Sequence, residues 1–343
     1  MTNKARFVLS KSKLLEQYNA VKNISGNISY SLKTNPVVGK LLEENTDSWF
    51  TVHFMEYLDN VKDKNKVWFV GQSWSNEELN QLFEKGVRSF IVYNEVDLNS
   101  LIEFMKSRDD KINILLRMRM KEHTIRTEKY YVFGMFSQQI NNLIPQLRQN
   151  RKIDNLGVHF NRKTQNISEW SLKEELSEVL HKDTLKQIDI LNIGGGIPIQ
   201  YKNYNVDVLP HVFSKIKELK EWLNGYNVKM IIEPGRFVAG PCIKLEAKII
   251  GIHDNTIVVN CSVYNSSMDT IVANIKLLIE GELEQGTPYL IKGYTPDSMD
   301  IFRYRVYLNN PKIGDTITFL NAGAYTYSTD FCNLAKLETV IID

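Results

Sequence analysis

The chain has 343 residues, 43% hydrophobic and 24% charged, a balance that supports one large core plus a smaller one and excludes a disordered or fibrous chain. Its 42 basic and 40 acidic residues leave a net charge of +2, which argues against a nucleic-acid binder or an acidic tail and for small-molecule chemistry. Cys242, Cys261 and Cys332 are odd in number without metal-ligand spacing, so neither a disulfide framework nor a metal site is expected, and without a signal-like start or a membrane-length apolar run the expectation is a cytoplasmic protein away from membranes.

Phe7-Val8-Leu9 is a short apolar run before a helix expected from Lys11 to Tyr18, with Ser10 as its cap. From residue 28 onward one alternation repeats: a short run rich in Ile, Val, Leu and Phe, then a longer stretch with helical spacing of apolar residues. Strands are expected over Ile28 to Lys33, Trp49 to Val52, Val67 to Val70, Ser89 to Tyr93, Ile112 to Arg117, Leu156 to Phe160, Ile188 to Ile193 and Lys229 to Glu233. Helices are expected between them, among others over Val37 to Glu44, Asn76 to Glu84 with Ser75 as cap, Glu95 to Lys106, Gln138 to Gln149 and Leu172 to Leu180.

Parallel strands separated by helices close most economically as an eight-stranded β/α barrel, assigned to residues 10–240. After Gly240 the rhythm changes to short runs joined by turn residues: Ala247 to Gly251, Thr256 to Val259, Ile275 to Ile279, Tyr289 to Ile291, Thr316 to Phe319 and Leu337 to Ile342. The expectation is an α/β protein in which a C-terminal β domain, residues 241–343 with residues 1–9 contributing, follows the barrel.

Catalytic residues of such barrels gather at the C-terminal strand ends. Here those ends carry Lys33, His53 and Glu56, Arg117 and Arg119, His159 and Arg162, Gly194-Gly195-Gly196, and Glu233-Pro234-Gly235-Arg236. An aldehyde cofactor needs a lysine amine for covalent attachment, and its phosphate needs backbone N–H groups that glycine leaves approachable and an arginine fork. A carboxylate keeps a pyridine nitrogen protonated, and a flat imidazole can stack on the ring. Lys33, the three glycines with Arg236, Glu233 and His159 supply these parts in turn, which points to pyridoxal phosphate.

On these residues the chain resembles the fold type III pyridoxal phosphate decarboxylases, the alanine-racemase-like barrel group acting on ornithine, diaminopimelate, arginine and carboxynorspermidine. The lysine motif matches Tyr30-Ser31-Leu32-Lys33-Thr34-Asn35-Pro36, the stacking histidine His159, the glycine loop Gly194 to Pro198, and the Glu-Pro-Gly-Arg motif Glu233 to Arg236. Gly323-Ala324-Tyr325 is similar to the segment whose tyrosine reaches the phosphate, and Arg117 is counted with the cofactor ligands. The resemblance implies a homodimer whose sites form between one barrel and the other subunit's β domain. Thr295 to Asp300 is the segment given across, with Asp297 as the acid that holds a substrate amine and Asp300 as a second acid.

What this implies is a decarboxylase of a basic diamino acid, of ornithine, lysine or arginine type, yielding a di- or polyamine. The alternatives are a diaminopimelate or carboxynorspermidine-like substrate, an amino-acid racemase, or a non-catalytic pyridoxal phosphate-binding regulator. The chain departs from the family in three places. Pro296 stands where the family carries its proton-donating cysteine, leaving Cys332 as a candidate replacement; Ala273 stands where ornithine enzymes carry a further acid; and Asn161-Arg162 replaces a Gly-Ser pair near the phosphate, where Arg162 could bind the phosphate or lie in solvent.

Overall fold

The computed structural model describes residues 4–120, 133–325 and 329–343. They form two compact units: Asn19–Pro198 with Asp207–Pro234, and Met1–Tyr18 with Ile199–Val206 and Gly235–Asp343. The chain begins with β1 (Arg6–Ser10) and runs straight into α1 (Lys11–Ser25), whose Lys13 N–H donates to the Ser10 hydroxyl at 3.1 Å. The helix is longer than its first apolar repeat predicts.

The first unit is a barrel of eight parallel strands in sequence order: β2 (Ser29–Ser31), β3 (Trp49–Val52), β4 (Val67–Gly71), β5 (Ser89–Val92), β6 (Ile112–Arg117), β7 (Ile153–His159), β8 (Ile190–Asn192) and β9 (Lys229–Ile231). A parallel bridge between Ile28 and Ile232, with the Ser29 N–H donating to the Ile232 carbonyl at 2.9 Å, joins the last strand to the first. The fold expected from the alternation is present, and the strand bounds differ by a few residues. Because side chains alternate across a strand, Trp68, Val70, Ile91, Leu115, Ile190 and Ile231 meet in one buried cluster.

Most strands hand over to α-helices, namely α2 (Pro36–Asn45), α3 (Asn76–Glu84), α4 (Glu95–Met105), α5 (Ser137–Leu147), α6 (Leu172–Val179), α7 (Lys182–Leu185) and α8 (Leu209–Asn224), while β3 is followed by 3₁₀ turns over Met55–Asn60 and Lys64–Lys66. Their starts are chemically specified. Ser75 and Glu78 form a reciprocal capping box on α3, and Asn94 accepts from the Asp97 N–H on α4. On α2 the Asn35 carboxamide accepts from Val37 and Val38 N–H at 3.1 and 3.2 Å, with Pro36 in the first turn. This cap shortens the first strand: β2 stops at Ser31, and Lys33 lies in a 3₁₀ turn over Leu32–Thr34 rather than in the strand.

The other unit is built on an eight-stranded mixed sheet that includes β1 with β10 (Ile243–His253), β11 (Thr256–Val259), β12 (Leu278–Ile279), β13 (Pro288–Lys292), β14 (Ile301–Tyr307), β15 (Thr316–Leu320) and β16 (Glu338–Ile342). Strand β1 pairs antiparallel with β10 and parallel with β16. Strand β14 is absent from the sequence expectation because Arg303, Tyr304 and Arg305 interrupt its apolar run; Arg303 is nevertheless buried, donating to Glu282 at 2.8 Å and to the Leu277 carbonyl at 2.6 Å. Among the described residues no helix is long and apolar enough to cross a membrane.

Candidate active site

The C-terminal ends of β2, β3, β6, β7, β8 and β9 bring together Lys33, His53, Arg117, His159, Gly194 to Gly196 and Glu233, all within the barrel unit. Lys33 Nζ lies 3.2 Å from His53 Nε2. Burial lowers the Lys33 pKa because it penalises the ammonium; the Glu233 carboxylate opposes that shift and Arg117 adds to it. The His53 imidazole is pushed down to about 3, by burial first and then by the charge on Lys33.

Glu233 is buried, yet its carboxylate is well supplied with donors. Thr51 Oγ1 donates to Oε1 at 2.8 Å, Asn192 Nδ2 donates to the same oxygen at 2.7 Å, and His159 Nε2 lies 3.4 Å from Oε2. Burial alone would raise its pKa; the facing imidazole and the donated hydrogen bonds outweigh that and hold the carboxyl well below the usual carboxylate range. His159 is itself fully buried, and its pKa is lowered, so it serves Glu233 as a neutral N–H donor. That tautomer leaves Nδ1 without a protein partner. Ser29 Oγ sits 2.7 Å from Thr51 Oγ1, extending the network to the first barrel strand.

Arg117 ends β6 with its guanidinium carbon 4.6 Å from the centre of the Tyr93 ring and its buried Nε unpartnered. The glycine loop follows β8. Gly194 takes φ +65°, and a Cβ there would come within 2.5 Å of the Phe160 carbonyl oxygen; Gly196 takes φ +109°, and its Cβ would approach the Lys163 oxygen to 2.9 Å. Only glycine fits such positions. The loop also has internal partners: Gly194 N–H donates to Asn192 Oδ1 at 3.0 Å and Gly195 N–H to Asn161 Oδ1 at 3.1 Å. Arg162 is buried and ion-paired to Glu175 and, at 3.7 Å, to Glu169, so it is not a solvated arginine.

The remaining expected residues belong to the other unit. Arg236 Nη1 donates to Asp269 at 2.5 Å and to Tyr201 Oη at 3.0 Å, all three being buried, and Tyr325 places its ring centre 5.1 Å from the guanidinium carbon with φ +53°. Asp297 is exposed, accepts from the Met299 N–H at 2.8 Å and shares a hydrogen bond with Tyr264. The Asp300 carboxylate is buried and occupied: it accepts from Val263 N–H at 2.8 Å, Thr295 N–H at 3.1 Å and Thr295 Oγ1 at 2.7 Å. The structure therefore makes Asp300 a brace for this loop. Cys332 is exposed, at φ +58°, beside Phe331, whose ring centre lies 5.3 Å from that of Tyr264.

Sequence reasoning missed Thr51 and Asn192 and gave His53 no role. Their signal is one polar side chain at the end of an apolar strand, Thr51 in Trp49-Phe50-Thr51-Val52 and Asn192 two residues before the glycines. The donor set fits pyridoxal phosphate on the structure's own terms. It offers an amine with a depressed pKa, an ionised buried carboxylate, a turn that admits no Cβ, and unpartnered buried nitrogens on His53, Arg117 and His159.

A family model described as the pyridoxal-dependent decarboxylase pyridoxal binding domain matches residues 55–240. A diaminopimelate decarboxylase of Bacteroides thetaiotaomicron is 23% identical over 289 residues, covering 76% of this chain and 72% of the relative. The lysine/ornithine decarboxylase of Vibrio vulnificus, solved with putrescine, superposes with a TM-score of 0.78 at 21% identity, covering 99% of this chain and 94% of that one. The diaminopimelate decarboxylase of Helicobacter pylori, solved with L-lysine, gives 0.82 at 18% identity over 100% of this chain and 92% of that one. With the site and the family match in agreement, the chain belongs to the fold type III pyridoxal-dependent decarboxylases, and pyridoxal phosphate is the cofactor its barrel residues fit.

Proposed function

We propose that this enzyme decarboxylates an amino acid carrying a second, positively charged amine, of ornithine, lysine or arginine type, with Lys33 as the covalent amine and Glu233 as the electron-sink carboxylate. The observation that carries this reading is the pairing of a buried lysine of lowered pKa with a carboxylate kept ionised by Thr51, Asn192 and His159 in one barrel mouth.

When bound, pyridoxal phosphate supplies a carbonyl for attachment and a ring that withdraws electrons from Cα. Around it the chain's own groups bind and orient. Lys33 offers an amine that burial helps to release from its proton. Glu233 presents a charge for a protonated ring nitrogen, and the glycine loop offers backbone approach to an anion. His159 presents a neutral imidazole, and Arg117 a buried cation.

The proposal includes a homodimer in which exposed Asp297 receives the distal amine of substrate bound to the second copy. Its carboxylate lies at the surface, whereas Asp300 is consumed by its own loop. Several named relatives are diaminopimelate decarboxylases, and Ala273 stands where an ornithine enzyme carries an acid, which favours diaminopimelate as a second reading.

The test is to incubate the holo-protein with ornithine, lysine, arginine, diaminopimelate and carboxylated polyamines, following carbon dioxide release and amine or aldehyde products by mass spectrometry. One diamino acid turned over to its amine is expected. No carbon dioxide from any of them, with cofactor bound, would sink the reading, and racemised substrate without carbon dioxide would replace it.

A further inference from the structure

The imidazole beside the lysine is part of no motif that points to pyridoxal phosphate. His53 follows β3 directly and puts Nε2 3.2 Å from Lys33 Nζ. Its second nitrogen, Nδ1, is buried and has no hydrogen-bond partner in the protein. The ring is neutral, since burial and the facing cations Lys33 and Arg117, together with His159, hold its pKa down while Glu233 alone opposes them. A neutral ring that accepts the Lys33 N–H through Nε2 must carry its hydrogen on Nδ1. A buried N–H donor without an acceptor is destabilising, and that loss is recovered when something arrives to accept it. His53 also borders a cavity of about 490 Å³ with Phe54, Met55, Glu56 and Tyr93, a space whose lining does not include Lys33.

We propose that His53 positions the covalent lysine with one nitrogen and, with the other, donates a hydrogen bond to an anionic oxygen of the ligand bound over Lys33. That oxygen comes either from the cofactor ring or from the carboxylate of the amino acid. This rests on the reading of Lys33 as the cofactor-bearing amine. It gives this chain a second imidazole at the site, with a duty distinct from that of His159, which bonds Glu233.

The experiment uses full-length protein and pyridoxal 5′-phosphate as the probe. His53→Leu removes both hydrogen bonds at similar bulk; His53→Gln keeps a carbonyl that can accept and an amide that can donate. Three quantities are read: cofactor affinity by absorbance titration, the pH midpoint of the visible band of the bound cofactor, and the amplitude of the spectral response to amino acids and to their decarboxylated amines. Thermal melting checks the fold of each variant.

If the oxygen belongs to the cofactor, His53→Leu weakens affinity at least tenfold and moves the midpoint by about one pH unit, and His53→Gln restores both to within about threefold and a few tenths of a unit. If it belongs to the substrate, cofactor affinity stays while the response to amino acids weakens at least tenfold and the response to amines does not. Wild-type values in all three readings for a folded His53→Leu protein overturn the proposal, as does a His53→Gln protein no better than His53→Leu. Lys33→Ala separates this failure from that of the parent reading: covalent, borohydride-fixable cofactor in Lys33→Ala would remove the premise, whereas its loss there beside an unaffected His53→Leu protein rejects His53 alone.

Discussion

Asn192 donates its side-chain N–H to Glu233 Oε1 at 2.7 Å, so the strand that leads into the glycine loop also fixes the charge of the carboxylate on the next strand. Hydrogen bonds to a charged group contribute about 1.5–3 kcal/mol, and removal of this one raises the Glu233 pKa. Asn192→Ala is expected to lower kcat by roughly ten- to hundredfold and to shift the acid limb of the pH–rate profile upward, whereas Asn192→Asp is expected to be worse because it faces Glu233 with a like charge. An unchanged profile in Asn192→Ala would remove this residue from the electrostatics of the site.

Acid should loosen the barrel mouth in two stages. Buried neutral His53 has its folded pKa near 3, below the ~6.5 of an unfolded imidazole, so the unfolded chain binds the proton first and stability falls as pH drops below about 6.5. Glu233 is depressed in the folded state, so its contribution is present above the unfolded carboxylate value of ~4.3 and is lost as pH falls further toward its folded pKa. Melting temperature should therefore decline from pH 7 to 5, and His53→Gln should make that part of the curve shallower, the buried neutral His159 supplying the rest, while leaving the steeper loss below pH 4.

The buried pair of Arg236 and Asp269 predicts an asymmetry between single and double changes. Removing one partner strands a buried charge, at a cost of about 3–5 kcal/mol, while replacing both with apolar residues of similar size is close to neutral. Asp269→Ala should lower the denaturation midpoint strongly, and Asp269→Leu combined with Arg236→Met should recover most of it. Urea unfolding of the three proteins measures the difference.

Asp297 and Asp300 are three residues apart and should fail in different ways. Asp300→Ala removes three accepted hydrogen bonds inside a buried loop and is expected to cost stability, read as a lowered melting temperature. Asp297→Ala changes an exposed side chain, leaves the melting temperature within a degree or two, and raises KM for a diamino acid by roughly ten- to hundredfold, the loss of one charge-assisted contact. Equal KM in wild type and Asp297→Ala would take the substrate amine elsewhere.

The barrel was legible because its signals are local: apolar strand runs, capping residues such as Ser75, and turns at glycine and proline. Strand β14 was hidden since Arg303 is buried against Glu282, a partner far away in sequence, so its charge read as surface. The site divided in the same way. Lys33, His159, the glycines and Glu233 announce themselves by residue type at strand ends, whereas Thr51 and Asn192 act only through the oxygen they share on Glu233, and Arg236 meets Asp269 across 33 residues. Such partnerships are set by closure of the sheets, which no local pattern encodes.

Asn161 gives the glycine loop an acceptor of its own, holding the Gly195 N–H at 3.1 Å. An incoming phosphate that takes this N–H exchanges one hydrogen bond for another instead of adding one, which mutes the heat released at that point. The same occupancy lets the loop keep its shape with nothing bound, because a half-buried donor is satisfied in advance. Cofactor loading then resembles the replacement of a tenant more than the folding of a loop, and its calorimetric signature should be small in heat capacity.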